Sequence, residues 1–404
     1  MFGEGFARNP WPVLSSLRDD SGGVHRVATP DGPPAWLVTR AADVHRCLLD
    51  NRLSTNVRFA KGSDYRGFAV PAPMDAFQTS DPDDLARLRR GLIAELAPRR
   101  LGEWTTRISQ LIAPTINRLE RVDDIDFVDR VAVPLPAVIL GDLLGLPDDA
   151  RDRLLAWAES TMRADAAPRA RDTLASMQQI TSIVIEHGRA TPDRSVLARL
   201  ITDGQLSGDQ LTGLVFYLLF VWYEVLIDLL AGSVLALSNR PRQLDTFRCG
   251  DQLAAVDELL RYLSPQMLAG PRFPVVDVAI GGHVIPAGQT ILLCLASANH
   301  DPERFDRPDE LDLSRSPQSH MALGHGSHAC IGAALVRPIT AGVLDQLFSR
   351  WPELRVTNDE NAITWRSGFR HRGPRALPIR PGRPGEAVPI SGGEASERSL
   401  ESQP

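Results

Sequence analysis

Residues 323–332 read Leu-Gly-His-Gly-Ser-His-Ala-Cys-Ile-Gly, so three glycines, two histidines and a cysteine fall within ten positions. Glycine permits positive φ and close backbone approach to a flat ligand. Helical periodicity begins near Ala333, which places Cys330 at the mouth of a helix N-terminus, where the local field biases a thiol toward thiolate. One thiolate on a glycine-rich platform suits an axial ligand to a haem iron. The same residue types serve other chemistries. His325, His328 and Cys330 could ligate zinc, but no second ligand pair at zinc spacing accompanies them. Cys330 could be a nucleophile with His328 as its base. An isolated cysteine is most often a small buried hydrophobe, and that reading is preferred for Cys47, Cys249 and Cys294.

A second locus lies in the apolar stretch from Leu211 to Leu237, which Glu224 and Asp228 interrupt. Two carboxylates in hydrocarbon argue against a membrane span. A carboxyl in such a stretch is costly unless hydrogen-bonded or kept protonated, which makes Glu224 a functional candidate beside the plainer reading of a structural buried acid. Tyr223 reads as an ordinary core aromatic.

The elements that must position these residues belong to a chain of 404 residues, 43% hydrophobic and 23% charged, with net charge −6. That composition allows a large core, excludes global disorder and disfavours a general nucleic-acid binder. Lys61 is the single lysine, so the basic charge is arginine. No CxxC is present, and four cysteines do not make a disulfide scaffold. The N-terminus shows no charged region followed by an apolar one, so a cytoplasmic protein is expected, with no membrane attachment. Residues 35–39 read as a strand and 41–49 as a helix. Residues 60–80 form an irregular loop, and helical spacing runs from Asp81 to about Ile201. Residues 208–237 read as one long buried helix and 251–263 as an amphipathic one. Short strands and hairpins follow over 275–295, then a helix over 330–350. One helix-rich α+β unit over 1–380 is expected, with a disordered tail over 381–404.

On these residues the chain resembles the cytochrome P-450 family, whose haem loop runs Phe-x-x-Gly-x-His/Arg-x-Cys-x-Gly. Gly326, His328, Cys330 and Gly332 match, and Leu323 stands where phenylalanine is usual. Glu258-Leu-Leu-Arg261 matches the family's Glu-x-x-Arg pair, by itself an ordinary helix pair. Pro271-Arg272 and the segment Arg87–Arg90 resemble two elements whose arginines hold haem propionates; the resemblance assigns Arg272 and Arg89. Leu85 stands where the family often has a histidine. The resemblance covers about residues 10–380 and implies the triangular P-450 fold, haem b (iron protoporphyrin IX) on Cys330, and separate ferredoxin and ferredoxin reductase as electron donors. Arg337 is among the arginines expected at the ferredoxin contact.

The long helix departs from the family pattern Ala-Gly-x-Glu/Asp-Thr-Thr. Alignment on Leu-Leu-Ala-Gly downstream places Val221 and Trp222 at the Ala-Gly positions, Glu224 at the acid and Val225 at the threonine. Valine lacks the hydroxyl that donates to bound oxygen. Trp222 either fills the space above the iron or marks a rotated or bulged helix. The resemblance thus implies a monooxygenase-type tailoring enzyme acting on a small-molecule specialised metabolite, with a non-standard distal pocket involving Glu224, Trp222 and Val225. Two alternatives are a haem-thiolate enzyme using peroxide or catalysing cyclisation, dehydration or rearrangement, and a P-450-like helper for a partner enzyme. Phe68, Met74, Phe77, Met162, Met267 and Leu268 are expected in the substrate wall.

Overall fold

The computed structural model describes residues 2–30, 32–61, 72–95, 98–119, 124–162, 170–191, 195–204, 206–316, 319–359, 362–366 and 369–385. Helices dominate it, and one large apolar core runs between them. Two smaller cores lie under the β-rich side. Residues 386–404, most of the expected tail, fall outside the described set. Residues up to Gly385 pack: its N–H donates to the Arg350 carbonyl at 2.8 Å.

The β-rich side follows alternating apolar runs. Val24–Val27 pairs antiparallel with Ala35–Val38, which pairs in parallel with Ile291–Leu293. Val278–Ile280 and His283–Ile285 form a hairpin through Gly281 and Gly282, both at positive φ. This side carries the strand before Ala41–Leu49, a helix that packs on the cysteine loop.

The central helix runs from Gly208 to Ser238. Ser207 starts it with a reciprocal capping box: its hydroxyl accepts from the Gln210 N–H, and the Gln210 side chain accepts from the Ser207 N–H. Among the described residues it is the one helix long and apolar enough to cross a membrane, and most of it is buried inside the protein. It is not uniform. Gly208–Phe216 and Tyr223–Ser238 are α-helical, but Tyr217–Trp222 is π-helical. The uninterrupted helix read from the sequence is corrected here. A π-bulge inserts one residue without changing the apolar character of the run, so periodicity carries little sign of it.

Gln252–Leu263 is capped by the Asp251 carboxylate, which accepts from Leu253 and Ala254 N–H. It presents Glu258 and Arg261 to the interior. Ala333–Arg350 crosses beneath the central helix and packs along Pro98–Asn117.

Candidate active site

The cysteine loop is shaped by its glycines. Gly324 and Gly326 sit at φ 69° and 73°. The positive φ of Gly326 favours glycine at that turn, and a Cβ there would also press on the Leu49 side chain, 2.7 Å from its Cδ2. The Cys330 N–H donates to the Leu323 carbonyl at 2.7 Å, and Arg89 donates to the Ala329 carbonyl at 2.6 Å. The Cys330 thiol receives the backbone N–H groups of Gly332 and Ala333 at the start of Ala333–Arg350. Burial nevertheless outweighs these donors and Arg89, and raises the thiol pKa. In a dry pocket without a cation desolvation exceeds the helix field, and a bound cation favours the thiolate.

The loop opens on a cavity of about 280 Å³ bounded by the central helix, the segment 266–272 and the start of Ala333–Arg350. Cys330, Leu323, Gly332 and His328 form one wall, with Arg89 and Arg272 beside them. Arg272 is 4% exposed and donates only to the nearby Gly270 and Pro271 carbonyls. Neither Arg89 nor Arg272 has a carboxylate partner among the described residues. Burial lowers the Arg272 pKa to about 10. Burial first, then Arg272 and Arg89, lowers that of His328 to about 4. A buried cation and a half-buried one with no carboxylate partner among the described residues are costly unless an anionic ligand completes them. A flat apolar group with acidic arms, ligated by sulfur, satisfies this donor set, so the residues fit haem b. Gly326 shapes the loop from outside the cavity wall.

The distal side carries the departures. Val221, Trp222 and Val225 line the cavity, and Leu85 occupies the wall where a histidine was absent from the sequence. The Trp222 indole reaches across to the cysteine loop. A Cβ on Gly332 would stand 2.6 Å from its Nε1, and that buried N–H has no acceptor among the described residues. Of the two readings of Trp222 the structure shows the bulged helix, and the indole stands between helix and loop. Tyr223 is core, its hydroxyl donating to the Val133 carbonyl at 2.6 Å.

Glu224 is not part of the cavity wall. It faces His371, Nε2 to Oε2 3.7 Å, on the other side of the helix. One turn on, Asp228 is fully buried in an ion pair with Arg366. Gly373 admits this carboxylate: a Cβ there would lie 2.0 Å from Asp228 Oδ1. Burial, reinforced by Asp228 and opposed by Arg366, raises the Glu224 carboxyl from 4.5 to about 7. Burial, with Arg366 and Arg370, lowers His371 to about 3. Between pH 4.5 and 7 the native chain therefore holds a proton that the unfolded chain releases. This contribution weakens stability as pH rises through that window. Glu224→Gln is expected to gain on the order of 2–3 kcal/mol over the parent protein near pH 8, measured by urea unfolding. Parallel pH profiles for the two proteins would remove this account.

Of the six expected wall residues, Phe77 and Leu268 line the cavity. Met74 and Met267 do not: Met74 is buried in the main core, and Met267 in the small core with Phe6, Leu14 and Phe369. Met is an adaptable core filler, and sequence position alone could not separate the two roles. Phe68 and the Met162 side chain lie outside the described residues. Sequence reasoning missed Tyr217, Gln78, His371 and Arg370. Tyr217 carried a signal, a polar-tipped aromatic in an otherwise apolar helix; the others lie in segments without periodicity.

The class that fold and site define is a helix-rich haem-thiolate protein. Residues 253–351 match the family model for cytochrome P450. The chain is 32% identical to cytochrome P450 107B1 of Saccharopolyspora erythraea over 94% of its length and 97% of that protein. It is 33% identical to the P450 monooxygenase PikC of Streptomyces venezuelae over 94% of its length and 92% of that protein. The tirandamycin C-bound structure of the P450 monooxygenase TamI superposes with a TM-score of 0.82 at 31% identity, covering 93% of this chain and 98% of that one. The chain belongs to the cytochrome P450 family. It is a P450-type oxidoreductase that carries haem b with Cys330 as thiolate ligand, and its relatives act on small molecules.

Proposed function

We propose that this chain is an oxidative tailoring enzyme for a specialised-metabolite small molecule, working with a distal side that lacks the acid–alcohol pair. The observation that carries the reading is Val225 in the cavity wall, where a hydroxyl would be needed, together with Glu224 turned away toward His371. Cys330 would supply the sulfur ligand to the haem. Arg89, Arg272 and His328 would receive its acidic groups, and Leu323 and Gly332 would pack against it. The haem, when bound, supplies oxidation of an otherwise unreactive carbon. Val225 keeps that side of the cavity dry and offers no proton. A proton must come from the substrate or from ordered water, with Glu224 as the buried store behind the helix. Residues 258 and 261 hold the core beneath.

Two further relatives support this reading: a polyketide-biosynthesis P450 of Bacillus subtilis is 27% identical, and a 6-deoxyerythronolide B hydroxylase of Saccharopolyspora erythraea is 31% identical. A separate ferredoxin and ferredoxin reductase would deliver electrons in the cytoplasm. Arg337 is not a free docking charge, since it pairs with Asp257 at 2.7 Å. The missing alcohol also favours a second reading, in which peroxide or a rearrangement replaces dioxygen cleavage. The helper reading loses support from the complete cysteine loop.

The test is a carbon monoxide difference spectrum followed by turnover with ferredoxin, reductase and dioxygen. In the first reading product requires all three, and Val225→Thr raises product per electron by about tenfold, less than the roughly hundredfold low end of what a fully positioned proton donor contributes. Undiminished product without reductant or dioxygen would move the chain to the second reading. Haem-loaded protein with no turnover under either condition would remove both.

A further inference from the structure

The cavity wall is apolar over Phe77, Leu214, Leu218, Val221 and Leu268, and one polar pair breaks it. Tyr217 and Gln78 both line the cavity, and Gln78 Nε2 donates to Tyr217 Oη at 2.5 Å. The Gln78 backbone carbonyl accepts from Thr55 Oγ1 at 2.8 Å, which holds the main chain here, and Thr55 lines the same cavity. The Tyr217 ring is held between Phe77, 5.3 Å away, and Phe216, 5.8 Å away. Tyr217 is the first residue of the π-helical segment, so the bulge sets the direction of its ring.

A phenol that accepts from Gln78 keeps its own proton to give, and no described residue receives it. If the amide is turned over, the phenol donates to the amide oxygen and the amide N–H₂ becomes the spare donor. In the first arrangement the spare donor is the Tyr217 hydroxyl, in the second it is Gln78, and Tyr217→Phe separates the two. An aromatic pocket wall with one convergent donor selects an apolar ligand that carries an acceptor oxygen. Burial pushes the Tyr217 hydroxyl up to about 12, so it stays protonated at working pH.

Resting on the tailoring reading above, we propose that Tyr217, oriented by Gln78, is the residue that determines substrate specificity here, and that the substrate is an apolar molecule bearing a neutral carbonyl oxygen. Arg272 also acts on Tyr217 and faces the haem acids, so a bond from Tyr217 to a haem carboxylate is the competing outcome.

The experiment uses the haem-loaded protein and two probes of one shape, 1-tetralone and tetralin, with binding measured by calorimetry. The parent protein is expected to bind the ketone up to about tenfold more tightly, the worth of one hydrogen bond. Tyr217→Phe keeps both ring contacts and is expected to bring the two affinities within about twofold, with tetralin unchanged. Equal binding of the probes by the parent protein would overturn the proposal. So would a Tyr217→Phe protein that keeps the preference, or one that loses haem while both probes weaken alike, the mark of a carboxylate contact. The carbon monoxide spectrum of each protein is read alongside. An intact spectrum with no ketone preference sinks the anchor and leaves the tailoring reading standing, whereas a parent protein with no spectrum sinks that reading itself.

Discussion

Replacing Cys330 by alanine is expected to abolish the thiolate-type carbon monoxide difference spectrum and reduce turnover below detection. The sulfur is the one soft ligand in the cavity wall among the described residues. His328, the nearest alternative, lies in the same wall, but its pKa near 4 reflects burial beside two arginines. That environment leaves the imidazole neutral and able to bind iron weakly. The variant is therefore expected to show a shifted, imidazole- or water-type spectrum if it retains haem at all. Serine at 330 should behave as alanine does, because a hydroxyl buried in this site is held far from its anion. The measurement is the reduced carbon monoxide spectrum of parent and variants at matched haem content. An unchanged spectrum in Cys330→Ala would place the ligand elsewhere and dissolve the site.

The second large effect concerns Arg261. Its guanidinium is 1% exposed, and its donors are used: Nε and Nη2 to the Glu258 carboxylate at 2.7 and 2.9 Å, Nη1 to the Asn299 and Pro308 carbonyls, and Nη2 to the Glu310 carbonyl. Glu258 also receives Arg315 and the Asp312 N–H. The pair thus ties the helix Gln252–Leu263 to the irregular chain leading into the cysteine loop. Arg261→Ala strands three carbonyls and weakens the compensation of a buried carboxylate. Breaking such a pair from one side costs about 3–5 kcal/mol. Urea unfolding is expected to show that loss, and Arg261→Lys to recover only a part of it, since an ammonium cannot fork to the carboxylate and the carbonyls together. A change below about 1 kcal/mol in Arg261→Ala would mean that the pair is dispensable to the fold.

The cysteine loop and the Glu258–Arg261 pair were legible because each has fixed residue types at fixed spacing. The strands at 35–38 and 278–285 and the helix at 252–263 were legible because turns and caps bound short periodic runs. The central helix was legible as a helix but not in phase: Leu-Leu-Phe-Val between Tyr217 and Trp222 is apolar on every face, so no period reveals an inserted residue. Glu224 was found from its cost in an apolar stretch, yet the direction in which it points depends on His371, some 150 positions away in sequence. Arg89 and Arg272 were assigned only through family resemblance. As single residues they look like any surface arginine until burial without an anion sets them apart. Met74 and Met267 failed as wall residues because an apolar side chain reads the same toward a core and toward a ligand.

The two halves of the central helix are bound to the protein very differently. Past the bulge, Asp228 is locked to Arg366 against Gly373, and Gly232 admits the Leu263 side chain, whose Cδ1 would lie 3.2 Å from any added Cβ. Before it Leu214, and within it Tyr217 and Leu218, line the cavity. The extra residue takes up slack between them, so exchanges upstream need not be transmitted downstream. Selection for a new ligand can therefore work on the first half of the helix while the second half remains under the constraint of folding.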